Sequence, residues 1–239
     1  MRAILMAAGV GSRMGGSIAQ PKSTLNVGYT TIIAHTVDML TANGIDVSIV
    51  VGYRKEMIYE ALSGRKVRFF LNPFYRATNS SASLWFAREL IDGSDDVIFI
   101  NADIYWEQPI LDILLSDGND AVMLGDASRA DNGDFFLNTV NGRVTAYGKE
   151  LRREERNTES VGIAKVSKAF SLTFRKWLDA HIEDERYGTL WEGIFCSNSV
   201  GTPIHVADVG GRFQAEVDTA DDYERVKEYV SKGQRKDII

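Results

Sequence analysis

The chain has 239 residues, 44% hydrophobic and 25% charged, with a formal net charge of −6. That length suits one α/β domain or two small ones, with enough apolar side chains for a substantial core. The acidic balance argues against a nucleic-acid backbone as partner, and no apolar run approaches the ~20 residues that cross a bilayer. Cys196 is the single cysteine, so an intrachain disulfide is excluded and a reducing compartment fits. Only Arg2 precedes the apolar run Ala3-Ile4-Leu5, which does not read as a cleaved signal peptide. The expectation is a soluble, cytoplasmic protein with no membrane partner.

The first strand reads as Ala3 to Ala7, emptying into the small-residue turn Ala8-Gly9-Val10-Gly11-Ser12-Arg13, with Pro21-Lys22 a few residues on. Helical spacing of Ile32, Ile33, Val37 and Leu40 predicts a helix over Thr31 to Ala42, stopped by Asn43-Gly44. Strands follow at Val47 to Val51 and Val67 to Leu71, separated by a short amphipathic helix from Arg54 to Leu62. A helix over Ser80 to Leu90 leads to the fully apolar strand Val97 to Ile100, of the kind buried on both faces of a parallel sheet. That strand ends at Asn101-Ala102-Asp103.

The second half mixes its signals. Glu107 to Leu115 reads as a helix and Ala121 to Leu124 as a strand. Asn141-Gly142, flanked by Phe135 to Val140 and Arg143 to Tyr147, is a strong hairpin signal. The charged stretch Lys149 to Thr158 is expected as an exposed excursion. A strand over Val161 to Val166 and a helix over Ala169 to Ile182 come next, then a helix with an approach loop within Glu185 to Ser199. A strand at Pro203 to Val209 and a closing helix over Ala220 to Ser231 complete the chain. The predicted fold is α/β: a Rossmann-like three-layer arrangement with a mixed, mainly parallel central sheet. It is read as one domain, residues 1–239, in two halves, 1–105 and 106–239.

The opening turn carries the chemistry. Backbone N–H groups converging at a glycine turn after a strand suit phosphate oxygens, and Arg13 and Lys22 add full positive charges. Two familiar glycine loops do not fit. The dinucleotide fingerprint needs a third glycine where Met14 stands, and a Walker loop needs its lysine directly after the last glycine. The stretch resembles the opening of the nucleotidyltransferases that make sugar nucleotides and CDP-alcohols, whose first strand ends in small-small-Gly-x-Gly-x-Arg followed by Pro-Lys. The loop from Gly15 to Gln20 departs from that family's usual Leu/Pro pattern before Pro21, which bears on the shape of the triphosphate lid. The family expects one aspartate at a strand end near Asp103 and another before the closing helix at Asp218. Each aspartate has an alternative use as a helix cap, Asp103 for the helix near Glu107 and Asp218 for the helix after Thr219.

The middle of the chain is similar to the phosphocholine cytidylyltransferase branch, on Asn72-Pro73-Phe74-Tyr75, on Asn79 to Leu84, and on Trp191-Glu192. The strand Glu159 to Ile163 is similar to one flanking the acceptor pocket in the wider superfamily. The resemblance implies Mg²⁺ held by Asp103 and Asp218, and CTP or another nucleoside triphosphate as substrate. Lys22 and Arg13 would be catalytic. Ala7, Ala8, Gly9, Gly11, Ser12, Asn79, Ser83 and Asn101 would surround the nucleotide, and Tyr105, Glu159, Trp191 and Glu192 a small phosphorylated acceptor. Ring faces of Tyr105 and Trp191 would hold a choline-like head group by cation–π attraction. A sugar-1-phosphate uridylyl- or thymidylyltransferase, a non-catalytic nucleotide-sugar-binding protein and a glycosyltransferase stay open as alternatives, and the assembly as monomer or homodimer.

Overall fold

The structure, a computed structural model, describes residues 1–11, 20–131, 133 and 135–234. Its elements in chain order are β1 (Arg2–Ala7), β2 (Asn26–Val27), β3 (Thr30–Thr31), α1 (Ile32–Ala42), β4 (Asp46–Val51), α2 (Lys55–Ala61) and β5 (Arg68–Leu71). Then come α3 (Ser80–Phe86), β6 (Val97–Asn101), β7 (Ile104–Tyr105), α4 (Gln108–Ser116) and β8 (Ala121–Asp126). The rest are β9 (Phe136–Val140), β10 (Arg143–Gly148), β11 (Thr158–Val166), α5 (Lys168–Glu183), α6 (Glu192–Ser197), β12 (His205–Asp208), β13 (Ala215–Glu216) and α7 (Ala220–Gln234). The expected helix from Ser80 to Leu90 is shorter, ending at Phe86 and passing into a 3₁₀ turn over Arg88–Leu90.

One sheet runs β5-β4-β1-β6-β11-β8-β12-β10-β9. The pairs β5–β4, β4–β1, β1–β6 and β8–β12 are parallel. β11 enters antiparallel between β6 and β8, and the β9–β10 hairpin closes the far edge. Asn141 and Gly142 at the hairpin tip have φ of 51° and 71°, the left-handed pair that a tight two-residue turn demands.

Strand alternation divides the core into two layers. On β1, Ala3, Leu5 and Ala7 face the layer formed with α1, α2 and α4, while Ile4 and Met6 face α3, α5 and α6. β6 alternates in the same way, with Ile98 and Ile100 on one side and Val97 and Phe99 on the other, which is why its sequence is apolar from Val97 to Ile100. Phe99 stacks on Phe174 at 4.7 Å, and that pair meets Trp191 and Phe195. A third, smaller cluster joins β7 and β13 to Leu25, Val27 and Val226 of α7. No helix among the described residues is long and apolar enough to cross a membrane.

The parallel strands β1, β4 and β6 end at the same edge. In such sheets the loops leaving the carboxyl ends form a crevice, and here that edge carries the glycine turn and Asp103.

Candidate active site

At the end of β1 the chain is held close to β4. Tyr53 N–H donates to the Ala8 carbonyl at 3.1 Å, and a Cβ on Gly52 would lie 2.8 Å from that same oxygen and from Tyr75 Cβ. Gly11, with φ of +67°, lies against the stem of Lys22; a Cβ there would approach Lys22 Cγ and Cε to 3.2 Å. Lys22 itself opens a 3₁₀ turn (Lys22–Thr24), fixed by Thr24, whose N–H and hydroxyl both donate to the Pro21 carbonyl. Ser23 and Thr24 are buried, and Lys22 lines the crevice beside Pro21 and Ser23. Ser12 and Arg13 fall among residues 12–19, outside the described residues.

The acids arrive from two distant stretches, tied together by a short ribbon. β7 and β13 pair antiparallel with Ile104 opposite Glu216, and Val217 N–H donates to the Asp103 carbonyl at 3.0 Å. Carboxylate oxygens of Asp103, Glu216 and Asp218 all lie within 4.8 Å of one another. The Lys22 ammonium forms an ion pair with Asp218 and stands 4.0 Å from Asp103. Burial, with repulsion from Asp103, Asp218 and Glu192, holds the Glu216 carboxyl well above its ordinary range, Lys22 offsetting part of this.

Neither aspartate serves as a helix cap. The α7 start is closed by Thr219 and Asp222: the Asp222 carboxylate accepts from the Asp218 and Thr219 N–H groups, and Thr219 Oγ accepts from Asp222 N–H. Glu107, not Asp103, stands at the N-cap of α4. Three hard oxygen donors converging in a half-buried site fit a divalent cation such as Mg²⁺. Glu216 was not singled out from the sequence. Its signal was the period of two in Glu216-Val217-Asp218, which puts both carboxylates on the same side of an extended segment.

Between the turn, the acids and the start of α3 lies a cavity of about 370 Å³. Ala7, Ala8, Gly9 and Gly11 line one side, Asn79 and Ser83 another, and Asn101, Lys22, Asp103, Glu216 and Asp218 also line it. Asn79 caps α3, its Oδ1 accepting from Ser80 N–H at 2.8 Å. Ser83 Oγ accepts from the buried Asn72 amide at 3.0 Å. Asn101 is held at both ends: its Oδ1 accepts from the Trp191 indole N–H at 2.7 Å, and its Nδ2 donates to Glu192 at 2.9 Å. On β11 the register shifts between Ser160 and Ala164, and Gly162 within that bulge has φ of +74°. A Cβ on Gly162 would lie 2.8 Å from Asn101 Nδ2, so the glycine makes room for that amide.

The MobA-like NTP transferase domain family matches residues 3–171. The chain belongs to that family. It is thus a nucleotidyltransferase, an enzyme that transfers a phosphorus-containing group. Among curated relatives, choline-phosphate cytidylyltransferase of Streptococcus pneumoniae is 24% identical over 96% of this chain and 98% of its own length. CMP-5'-(3-aminopropyl)phosphonate synthase of Streptomyces rubellomurinus is 35% identical over 120 residues, 48% of this chain and 19% of that protein. The chain therefore spans about a fifth of that second relative. Among solved structures, CTP:phosphocholine cytidylyltransferase from Streptococcus pneumoniae superimposes with a TM-score of 0.79 at 21% identity, covering 96% of this chain and 98% of that one. Inositol-1-phosphate CTP transferase from T. maritima gives 0.75 at 19% identity, with 97% and 95% covered. At those identities the structures speak for the shared fold.

The remaining residues expected at the site of this NTP transferase lie behind the cavity or away from it. Trp191 is 0% exposed, packed among Phe99 and Phe195, so its ring faces belong to the core. Tyr105 is also buried, stacked on His35 at 4.7 Å and edge-on to Phe213 and Tyr229. Burial and the neighbouring Glu107 push its hydroxyl pKa up. The expectation that these two ring faces hold a head group is corrected: both rings are packing, and neither lines the cavity. Glu192 sits behind Asn101, 3% exposed, with Oε2 lacking a hydrogen-bond partner, and burial pushes its pKa up to about 7. Glu159 lies on the far side of the β11 bulge, paired with Arg129, its pKa raised by burial against the pull of that guanidinium. The exposed aromatic side chains among the described residues are instead Tyr29, Tyr59, Phe74, Tyr147 and Tyr187, with half-buried Phe135 stacked on Tyr147 at 6.2 Å between ring centroids.

Proposed function

We propose that this nucleotidyltransferase is a Mg²⁺-dependent cytidylyltransferase. It couples CTP to a small phosphorylated alcohol or amine, or a phosphonate, releasing pyrophosphate and a cytidylyl-linked product. The observation that carries the reading is one ammonium, Lys22, placed at the junction of a glycine turn and a three-carboxylate cluster. CTP as donor is supported by the relatives, whose names point to cytidylyl transfer onto a choline phosphate or a phosphonate.

An oxygen of the acceptor's phosphate or phosphonate would attack the α-phosphorus in line, and the bond to pyrophosphate would break. The attacking group is already ionised, so no general base is required; positioning and positive charge do the work. Lys22 would move its ammonium onto the α-phosphate oxygens and neutralise their charge as the trigonal phosphoryl develops. The amides from Gly9 to Ser12 would hold the β- and γ-phosphates, with Arg13 beside them. Asp103 and Asp218, with Glu216, would hold Mg²⁺, which when bound supplies Lewis-acid neutralisation of phosphate oxygens. Asn79 and Ser83 would face the base and ribose. Residues 1–105 would thus serve the nucleotide and 106–239 the acceptor.

A pyrophosphate-release assay crossing CTP, UTP, dTTP and ATP with phosphocholine, an aminoalkylphosphonate, a polyol phosphate and a sugar 1-phosphate tests this reading. CTP with one of the first three acceptors should give turnover. Lys22→Ala should lower kcat by roughly 10²–10³, the scale for losing one charge-stabilising donor. The second reading, a sugar-1-phosphate transferase, draws on 26% identity over 86% of this chain with the bifunctional protein GlmU of Syntrophomonas wolfei. Turnover with UTP or dTTP and a sugar 1-phosphate alone would select it.

A further inference from the structure

We propose that Lys22 is a standing counter-ion of the carboxylate cluster, so that a divalent cation and the nucleotide bind in concert, each favoured once this ammonium leaves Asp218. The proposal rests on the metal-binding reading of Asp103, Glu216 and Asp218 given above and adds to it what Lys22 does before substrates arrive.

The ion pair is sheltered: the Lys22 side chain is 9% exposed and that of Asp218 13%. Ions so far out of water hold a partner closely, because each is poorly solvated when the pair separates. The ammonium touches one member of a cluster whose oxygens span no more than 4.8 Å, and it is 4.0 Å from a second. A divalent cation held by the same oxygens would meet that ammonium at close range, so the two compete for Asp218. The stem is clasped by Gly11 at Cγ and Cε, while the head lies on the wall of the cavity that Gly9 and Gly11 also line. A triphosphate seated in that cavity would lie within the reach of a side-chain rotation of Lys22.

The energetic consequence is linkage. A bound triphosphate draws Lys22 off Asp218, which leaves the three acids more negative and raises their affinity for the metal. By reciprocity the metal, once seated, releases Lys22 for the phosphate. Couplings of this kind change affinity by about 5- to 150-fold.

The test uses Mn²⁺ as probe and the whole chain without nucleotide. Mn²⁺ affinity is measured by electron paramagnetic resonance for wild type, Lys22→Gln and Lys149→Gln. Lys149 is a neighbouring cation that acts on Glu192 and so controls for a general change of field. Lys22→Gln should bind Mn²⁺ on the order of tenfold tighter than wild type, with Lys149→Gln much closer to wild type. In wild type, acetic anhydride should label Lys22 several-fold faster as Mn²⁺ saturates, read by mass spectrometry of the peptide. Equal affinities for wild type and Lys22→Gln, equal tightening in both variants, or labelling of Lys22 indifferent to bound Mn²⁺ would overturn the exchange while leaving the metal reading in place. No saturable Mn²⁺ binding in either wild type or Lys22→Gln would overturn both.

Discussion

Replacing Glu192 by glutamine should remove a pH dependence of stability that the wild-type chain carries. Glu192 is wholly inside the protein, accepts one hydrogen bond from Asn101, and its pKa is pushed from 4.5 to about 7 by burial. Between those values the folded chain binds a proton that the unfolded chain has lost, so stability falls as pH rises through the interval. At about 1.4 kcal/mol per pH unit, the full effect is about 3 kcal/mol. About 2.5 kcal/mol of it falls between pH 5 and pH 8, the balance lying below pH 5. Glutamine keeps an oxygen for the Asn101 amide and has no proton to lose. Urea unfolding of both proteins in EDTA, at half-unit steps from pH 5 to 8, gives the difference directly. Wild type should lose about 2.5 kcal/mol relative to Glu192→Gln, equivalent to roughly 5–10 °C in Tm. A difference that stays flat with pH would refute the argument, because it would mean that Glu192 folds and unfolds in the same protonation state.

Gly52→Ala would place a methyl 2.8 Å from the Ala8 carbonyl and Tyr75, and should destabilise by about 1–3 kcal/mol in chemical denaturation. It should also raise KM for the nucleotide, since Ala8 lines the cavity. Trp191→Phe deletes the donor to Asn101 Oδ1 and should cost about 1–3 kcal/mol for the stranded acceptor. Turnover should fall with it while the far-ultraviolet circular dichroism is unchanged. Asp218→Asn and Glu216→Gln should each raise the Mg²⁺ concentration needed for half-maximal pyrophosphate release, and EDTA should abolish release in wild type. For Asp218→Asn, a half-saturation unchanged from wild type would remove that residue from the metal centre.

The parts of this molecule legible in its sequence are those fixed by local periodicity. β1 and β6 announce themselves as short apolar runs because both of their faces are covered, and the Asn141-Gly142 hairpin because few other residues take its backbone angles. Asp103 and Asp218 were marked as a pair by family likeness, and the ribbon between β7 and β13 brings them together. That ribbon itself was invisible: two residues on each side give no period to read. Trp191 and Tyr105 were misread for a related reason. An aromatic side chain carries no local sign of whether its face meets a ligand or a phenylalanine, and here Phe99 and Phe213 decide it from far along the chain. The Asn101–Trp191–Glu192 chain of hydrogen bonds likewise joins residues some ninety positions apart.

The two-residue ribbon also sets when the site can exist. During synthesis the chain makes its glycine turn and Lys22 first, then Asp103, and only after more than a hundred further residues does β13 pair with β7. Until then the central strands can pair and bury their apolar faces, yet Asp103 has no Asp218 beside it and Lys22 no carboxylate cluster to rest on. The growing polypeptide thus holds every strand of its large sheet before it can assemble the carboxylate cluster. Trimming it back to Phe213 should leave a cooperatively folded sheet that has lost tight Mn²⁺ binding.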